Sequence, residues 1–368
     1  MRIKPVIGAA AVSLAMAFSA NAETKGSYAT WLTPNHPTNV ALSDYFEDLK
    51  SATEGSLVFE PHFAGSLLGA KAIPSGVRNG VADSGYFIGA YVPSELPIDG
   101  FLSRFSLLND DPMAMTGAIN ELLLVKCPDC RQEYEGGFQT KYLATIALTP
   151  YVFHCKEKLV SMADFEGRKV RGISGWTELI EGLGAVPVKT SSGEMYEALE
   201  RGILDCTIHT ISNQRTRSLN EVAPYVIDHP FGGFVGGSVL NMRVEKWVEL
   251  TSEQQTSIVN GLPQVVAAIV LEHQNVDAEV REEMSGRGTE FYAPDAELAA
   301  YIDNSRKTFA DNAYAIGERR GIENAREIAG QLIALREEWV ALLDEKGRDR
   351  EAFESLLAER VFSKMPVD

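Results

Sequence analysis

Few side chains in this sequence stand at spacings that support covalent chemistry, but one is placed to recognise an anion. Arg171 lies in Gly167-Arg168-Lys169-Val170-Arg171-Gly172-Ile173-Ser174-Gly175-Trp176. There a short β-favouring run gives way to a helical pattern, with Ser174 as the expected N-cap. A strand end before a helix N-terminus gathers loop side chains and free N–H groups, the favoured place for negative charge in an open α/β sheet. A guanidinium there can hold a carboxylate by two parallel charge-assisted hydrogen bonds, which lysine cannot reproduce. The plain alternative is a solvated arginine at a sheet edge. The six histidines are His36, His62, His154, His209, His229 and His273, and none is paired at metal-ligand spacing. There is no Gly-x-Ser-x-Gly elbow and no His-Glu-x-x-His helix, so an exported hydrolase is the lesser reading. No catalytic residue, cofactor or metal site is expected.

The 368 residues suit two lobes rather than one core, and 45% hydrophobic with 23% charged residues describes a globular chain. Residues 1–22 combine the basic start Arg2 and Lys4, the apolar run Val6 to Phe18 and the small residues Ala20-Asn21-Ala22. They read as a secretory signal peptide cleaved after Ala22. No later apolar run approaches the roughly 20 residues of a bilayer span, so a periplasmic product is expected. Loss of Arg2 and Lys4 leaves 32 basic against 51 acidic residues, moving the formal charge from −17 to −19. So acidic a chain is a poor partner for nucleic acid or anionic membranes. In an oxidising compartment the four cysteines favour disulfides, and four allow three full pairings. Cys127-Pro128-Asp129-Cys130 reads as a local crosslink rather than a redox or zinc site, and Cys155 and Cys206 could form the other bridge.

The elements that would position Arg171 follow from periodicity. Ser27–Leu32, Leu57–Pro61 and Val81–Phe87 have strand character, and helical patterns separate them, the first with Leu42, Tyr45, Phe46 and Leu49 on one face. The same beat returns from Lys169 to His209: strand, helix, strand, helix begun by a Ser191/Glu194 capping box, strand. Tyr142–His154 reads as one long strand crossing between lobes, and Pro263 as a break in a helix begun near Leu250. The glycine-rich Gly232–Ser238 lacks the context of a nucleotide loop. It reads as a returning strand passing close to a ligand, with Asn241 near its end. Trp31, His36, Tyr86, Phe87 and Tyr91 are loop aromatics that could face that ligand, although packing is the common role of each such residue. The helical stripe Ile322, Ala325, Ile328, Ala329, Leu332, Leu335, Trp339, Leu342, Leu343 calls for a lobe to pack on. A helix of a second subunit is the other use of such a face; otherwise a monomer is expected.

Three runs together carry a family resemblance: Asp164–Arg171, Leu183-Gly184-Ala185-Val186-Pro187-Val188, and Glu194–Asp205. With His36-Pro37, Leu68-Gly69 and Gly80-Val81-Ala82-Asp83 they resemble the DctP-type substrate-binding proteins of TRAP (tripartite ATP-independent periplasmic) transporters, over about residues 27–260. The resemblance implies an α/β, two-lobe Venus-flytrap receptor with hinge strands and a helical C-terminal region. It implies closure on a small organic acid, commonly a carboxylate, and delivery to membrane permease subunits. A receptor that signals through a membrane partner is the alternative. The implied organisation is residues 23–148 plus about 237–276 for the first lobe and 149–236 plus about 277–320 for the second. Residues 321–368 would be helices packed on the lobes. The family's selectivity arginine falls on Arg171. The chain departs from the family where a pocket asparagine is replaced by His209, and where a second arginine of some members aligns with Tyr151. With Trp176 beside them, these residues suggest an aromatic pocket with a single strong clamp, and a pH response through His209 near pH 6.5 where its imidazole is unperturbed.

Overall fold

The computed structural model describes residues 23–365, so the signal peptide expected at residues 1–22 lies outside the described residues. Among the described residues eleven strands form two sheets, β1 (Thr24–Ala29), β2 (Leu57–His62), β3 (Ser84–Ile88), β4 (Thr140–Ala147), β5 (Val152–Cys155), β6 (Lys169–Arg171), β7 (Val186–Val188), β8 (Cys206–His209), β9 (Tyr225–Ile227), β10 (Val235–Arg243) and β11 (Glu290–Tyr292). The first sheet has the order β2-β1-β3-β10-β4 and the second β11-β9-β5-β8-β6-β7. In each, the strands joined through helices are parallel: β1 with β2 and β3, and β6 with β7 and β8. The molecule is thus α/β with two lobes and a helical C-terminal region.

The continuous strand read over 142–154 is two strands in different sheets. Pro150 interrupts it, having no N–H for a ladder. The crossing is instead held by the returning chain: Leu148 N donates to Phe234 O at 2.8 Å and Tyr151 N to Gly232 O at 2.8 Å. Glycine is required here by proximity. A Cβ on Gly233 would lie 2.0 Å from Leu148 O, and Gly232 has φ +84° with its Cβ position 2.2 Å from Ser106 O. The glycine-rich stretch therefore lets two crossing backbones touch. Asn109 braces them, donating through Nδ2 to Leu148 O at 2.8 Å and Gly233 O at 3.1 Å.

A third connection is the helix Ser252–Ser285, which starts at a Thr251/Gln254 capping box and runs on through Pro263 without a break. At about 1.5 Å per residue it is roughly 50 Å long. Its early turns bury Ile258, Leu262 and Val266 against the first lobe. Val276, Val280 and Met284, near its end, pack with Val152, Ile211 and Val226 of the second. Two disulfides are present, Cys127–Cys130 and Cys155–Cys206, the latter tying β5 to its neighbour β8.

The tail settles on the first lobe. In the helix Ala325–Lys346 the apolar stripe buries Ile328, Leu332, Leu335, Trp339 and Leu343, and Trp339 fills the space over Gly117, where a Cβ would meet its ring at 2.2 Å. Phe353, Leu356 and Leu357 of the helix Arg350–Arg360 join the same core.

Candidate functional site between the two sheets

The parallel strands of both sheets end on one small, tightly closed cavity. Side chains reach it from the carboxyl ends of these strands, where the loops of open α/β sheets converge. Trp31 follows β1, Tyr86 and Ile88 lie on β3 and Tyr91 just beyond, and Arg171 and His209 are the last residues of β6 and β8. Ser192 follows β7, and Leu148, Tyr151 and Phe234 come from the crossing segments.

Arg171 is 2% exposed, and its guanidinium is held without being neutralised. Nε donates to Thr190 O at 3.1 Å and Nη1 to Ile208 O at 3.2 Å, so the strands on either side of β6 supply the carbonyls. Nη2 donates to the Tyr91 hydroxyl at 3.3 Å. Three of five N–H groups are thereby engaged. No carboxylate among the described residues pairs with it. Burial of a cation without a counter-charge costs several kcal/mol, which an incoming anion would offset. The helix Trp176–Gly182 plays no part in this. Gly175 occupies the cap position, not Ser174, which adopts φ +58° and hydrogen-bonds to Ser103 at 2.8 Å. That turn opens on a different surface, where Glu178 pairs with Arg104.

The walls are aromatic. Tyr151 is sandwiched between Trp176 and His209, ring centroids 4.7 Å apart on each side and interplanar angles of 11° and 20°. Opposite, Trp31 packs on Tyr86 at 4.8 Å and on Tyr91 at 5.9 Å. Trp31 Nε1 donates to Ser192 Oγ at 3.1 Å, and Ser192 N to the Tyr91 hydroxyl at 3.0 Å, so bonds between the lobes close the cavity.

His209 has a defined tautomer. Its Nδ1 accepts from Thr210 N at 2.9 Å and Asn213 Nδ2 at 2.8 Å, which places the proton of the neutral ring on Nε2. Burial, then the charges of Arg171 and Arg217, hold its pKa well below 6.5. The expectation of a charge change near pH 6.5 is corrected accordingly: the ring is a neutral donor. His36 resembles it, accepting at Nδ1 from Thr38 N at 3.3 Å while burial and the neighbouring His273 hold its pKa low.

Three residues marked from sequence do not reach the cavity. Phe87 points to the other face of β3, its ring against Phe138, because successive strand residues alternate sides. Asn241 is fully buried in the middle of the first sheet, donating to Ser238 Oγ. Trp176 stands behind Tyr151 and donates to Phe231 O at 3.4 Å. Sequence reading also misses two groups, Ser192 and Arg217, and gives a third only part of its place. Tyr91 was noted only as an aromatic, yet its hydroxyl links Arg171 to Ser192. Ser192 was hidden in a capping box. Arg217, in the polar run Ser212–Asn220 that carries no periodic signal, is not foreseen either; its Nη2 donates to Ser192 Oγ at 3.4 Å from outside the cavity lining. The wider cleft between the helices Pro37–Ala52 and Ser252–Ser285 is lined by Asp44, Asp48 and Glu272, and its Arg350 is already paired with Glu354.

Two α/β sheets closing on a basic, aromatic-walled cavity define a two-lobe solute receptor. The chain belongs to the family of bacterial extracellular solute-binding proteins, family 7 (DctP), whose model matches residues 28–314. Solved structures with the same fold include a TRAP solute-binding protein from Rhodoferax ferrireducens T118, with TM-score 0.76 and 21% identity over 86% of this chain and 99% of that one. Another, from an unidentified microbe of a marine metagenome, has TM-score 0.74 and 20% identity over 86% and 99%. A third, from Bordetella bronchiseptica, has TM-score 0.72 and 18% identity over the same shares. This protein is therefore a DctP-family solute-binding protein with the fold of TRAP solute-binding proteins. No helix among the described residues is long and apolar enough to cross a membrane.

Proposed function

We propose that the protein is a receptor for a small carboxylate with a flat, aromatic frame, which it delivers to a TRAP permease. The observation that carries this is the Arg171 guanidinium, buried and without a carboxylate partner, at the edge of a cavity walled by Trp31, Tyr86, Tyr91 and the Tyr151–His209 stack. The acid's carboxylate would take the free N–H groups of Arg171 and the Nε2–H of His209. Its ring would lie between the two aromatic walls, where stacking adds about 0.5–1.5 kcal/mol per pair beyond area burial. Neighbours of the same fold are consistent with this: the Rhodoferax protein holds benzoate, the marine protein metahydroxyphenylacetate and the Bordetella protein mandelate. Others of the fold hold pyroglutamate or L-gulonate, so the fold does not fix the ligand and the pocket must.

Binding would drive closure through contacts made only when both lobes meet. Trp31 and Tyr91 come with the first sheet, Arg171 and Ser192 with the second. A ligand bridging them shifts the equilibrium by its differential affinity for the closed form, and about 5 kcal/mol takes a mostly open receptor to mostly closed. A thermal-shift screen against aromatic and aliphatic carboxylates, sulfonates, sugars and amines tests the reading. Stabilisation by aromatic acids is expected, and stabilisation by amines or neutral sugars alone would overturn it.

A further inference from the structure

A second cleft adjoins the cavity, on the surface onto which the turn at residues 174–178 opens. Tyr91 and Ile173 line both spaces, and Thr190, whose carbonyl accepts from Arg171 Nε, lines the second. Its charged lining is Lys71, Arg104, Lys189 and Arg320 against one carboxylate, Glu178. Arg104 is 5% exposed and is engaged by the fold. Its Nη2 donates to Glu178 Oε1 and its Nη1 to Ser174 O at 3.4 Å, so Glu178 already has a cation. Lys71, Lys189 and Arg320 are exposed, and none of them forms an ion pair among the described residues. Lys71 also acts on Glu194, whose carboxylate is taken by the hydroxyls of Thr190 and Ser191. Partial burial and the charge of Arg104 hold the Arg320 pKa below its usual value, so the two guanidinium groups stand in each other's field.

This local excess of positive charge runs against the rest of the molecule, whose formal charge over the full sequence is −17. In the cleft between the helices Pro37–Ala52 and Ser252–Ser285, Asp44, Asp48 and Glu272 outnumber Arg350. Beside the crossing strands, Asp110, Asp228 and Asp277 outnumber Arg281. Within a Debye length, about 8 Å at physiological salt, such acidic surfaces repel small anions. A group of unpaired cations around one concave opening reverses the potential there and raises the local concentration of anions.

We infer that this cleft is an anion port, in which Lys71, Lys189 and Arg320 gather small anions against the repulsion of the acidic surface and pass them to the cavity. Passage to Arg171 rests on the reading of Arg171 as an anion clamp, whereas the charge of the port does not. Lys71, Tyr91 and Arg104 come with the first lobe, and Ile173, Lys189 and Thr190 with the second, so the port widens as the lobes part. None of its three free cations lines the cavity itself. They therefore act on the rate at which a ligand arrives and leave its departure nearly unchanged. Electrostatic collection of this kind raises association rates by about 10- to 1,000-fold and fades with added salt.

Two measurements test the port, one of them independent of any ligand. The four cysteines are all in disulfides, so Thr177→Cys places a single free thiol in the cleft lining. Its modification by the anionic sulfonatoethyl methanethiosulfonate is compared with that by the neutral methyl methanethiosulfonate. The comparison is repeated with Lys71→Gln, Lys189→Gln and Arg320→Gln added together, Arg104 being kept for its bond to Glu178. The ratio of anionic to neutral rates is expected to fall about 10-fold in the combined variant, and to fall likewise in about 0.5 M NaCl. An unchanged ratio, or a thiol that neither reagent reaches, would overturn the port. In stopped flow, the three glutamine substitutions without the thiol should slow benzoate association about 10-fold and leave dissociation within about twofold. A change confined to dissociation would overturn the port as well, with the carboxylate reading intact. Benzoate that fails to bind the wild type, beside the expected thiol result, would leave the port standing and count against the aromatic carboxylate.

Discussion

Arg171 and Arg360 both have an aromatic neighbour, Arg171 through the Tyr91 hydroxyl and Arg360 over the Trp339 ring, yet their surroundings are opposite. Arg360, on the last long helix, meets Glu121 through Nε and Nη2, each at 2.8 Å, and Glu338 at 3.0 Å. Glu121 also accepts from Trp339 Nε1 at 2.9 Å, so its buried carboxylate is fully answered. Arg171 meets two carbonyls and a hydroxyl. Partial charges can orient a guanidinium but cannot neutralise it. The tail arginine completes a static network that fastens a helix to the first lobe. The cleft arginine is held in place by carbonyls and a hydroxyl, with no carboxylate among the described residues to neutralise it.

The largest expected effect breaks the contrast from the cleft side. Arg171→Ala should lower ligand affinity about a thousandfold, ~4 kcal/mol, with little change in unfolding midpoint, and Arg171→Lys should also bind poorly because an ammonium lacks the fork. Near wild-type affinity by calorimetry would remove Arg171 from the site.

From the tail side, Glu121→Ala leaves Arg360 and the Trp339 N–H without their acceptor and should cost roughly 3 kcal/mol of stability. Denaturant unfolding would register the loss while affinity stays within twofold. A binding defect as large as that of Arg171→Ala would mean that the tail is part of the recognition machinery.

A smaller effect sharpens the comparison at the cavity wall. Trp31→Phe keeps a ring but deletes the 3.1 Å bond to Ser192, which should weaken binding by about 1 kcal/mol, some fivefold, through the closed form alone. Stopped-flow should place the change in the dissociation rate. An effect on association alone would show that Trp31 does not hold the closed state.

The smallest expected effect is an absence of change. A histidine with a depressed pKa is neutral in the folded protein above its own value, and acid costs the fold stability only as the pH drops below the unfolded value near 6.5. Affinity should therefore vary less than twofold between pH 6.5 and 8. A tenfold fall across that window, lost in His209→Asn, would show that His209 binds the ligand as a cation.

Much of the architecture was legible because local rules act over a few residues. The two strand–helix–strand–helix–strand beats, the Ser191/Glu194 capping box and the apolar stripe of the tail follow from periodicity and capping alone. The crossing at 148–151 was misread because apolar, β-favouring residues run continuously through it, and only the pairing of Leu148 and Tyr151 with the chain at 232–234 shows where one sheet ends. Pro263 was taken for a break, yet the helix carries it, since packing along Ser252–Ser285 outweighs one lost hydrogen bond. In the site, Arg171 was legible from its place at a strand end. Phe87 and Asn241 were not separable from true cavity residues, because a one-residue step along a strand reverses the face and the register is set by neighbouring strands.

By itself the sequence determined the class: an α/β solute receptor with an arginine at the end of a second-lobe strand, recognisable by family motifs and by short-range patterning. Tertiary structure alone decided which charges are answered. A guanidinium's charged partner can lie hundreds of residues away, as Glu121 does for Arg360, or be absent among the described residues, as for Arg171, which meets only carbonyls and a hydroxyl. Coulombic compensation depends on distance in space, and a linear sequence does not record it.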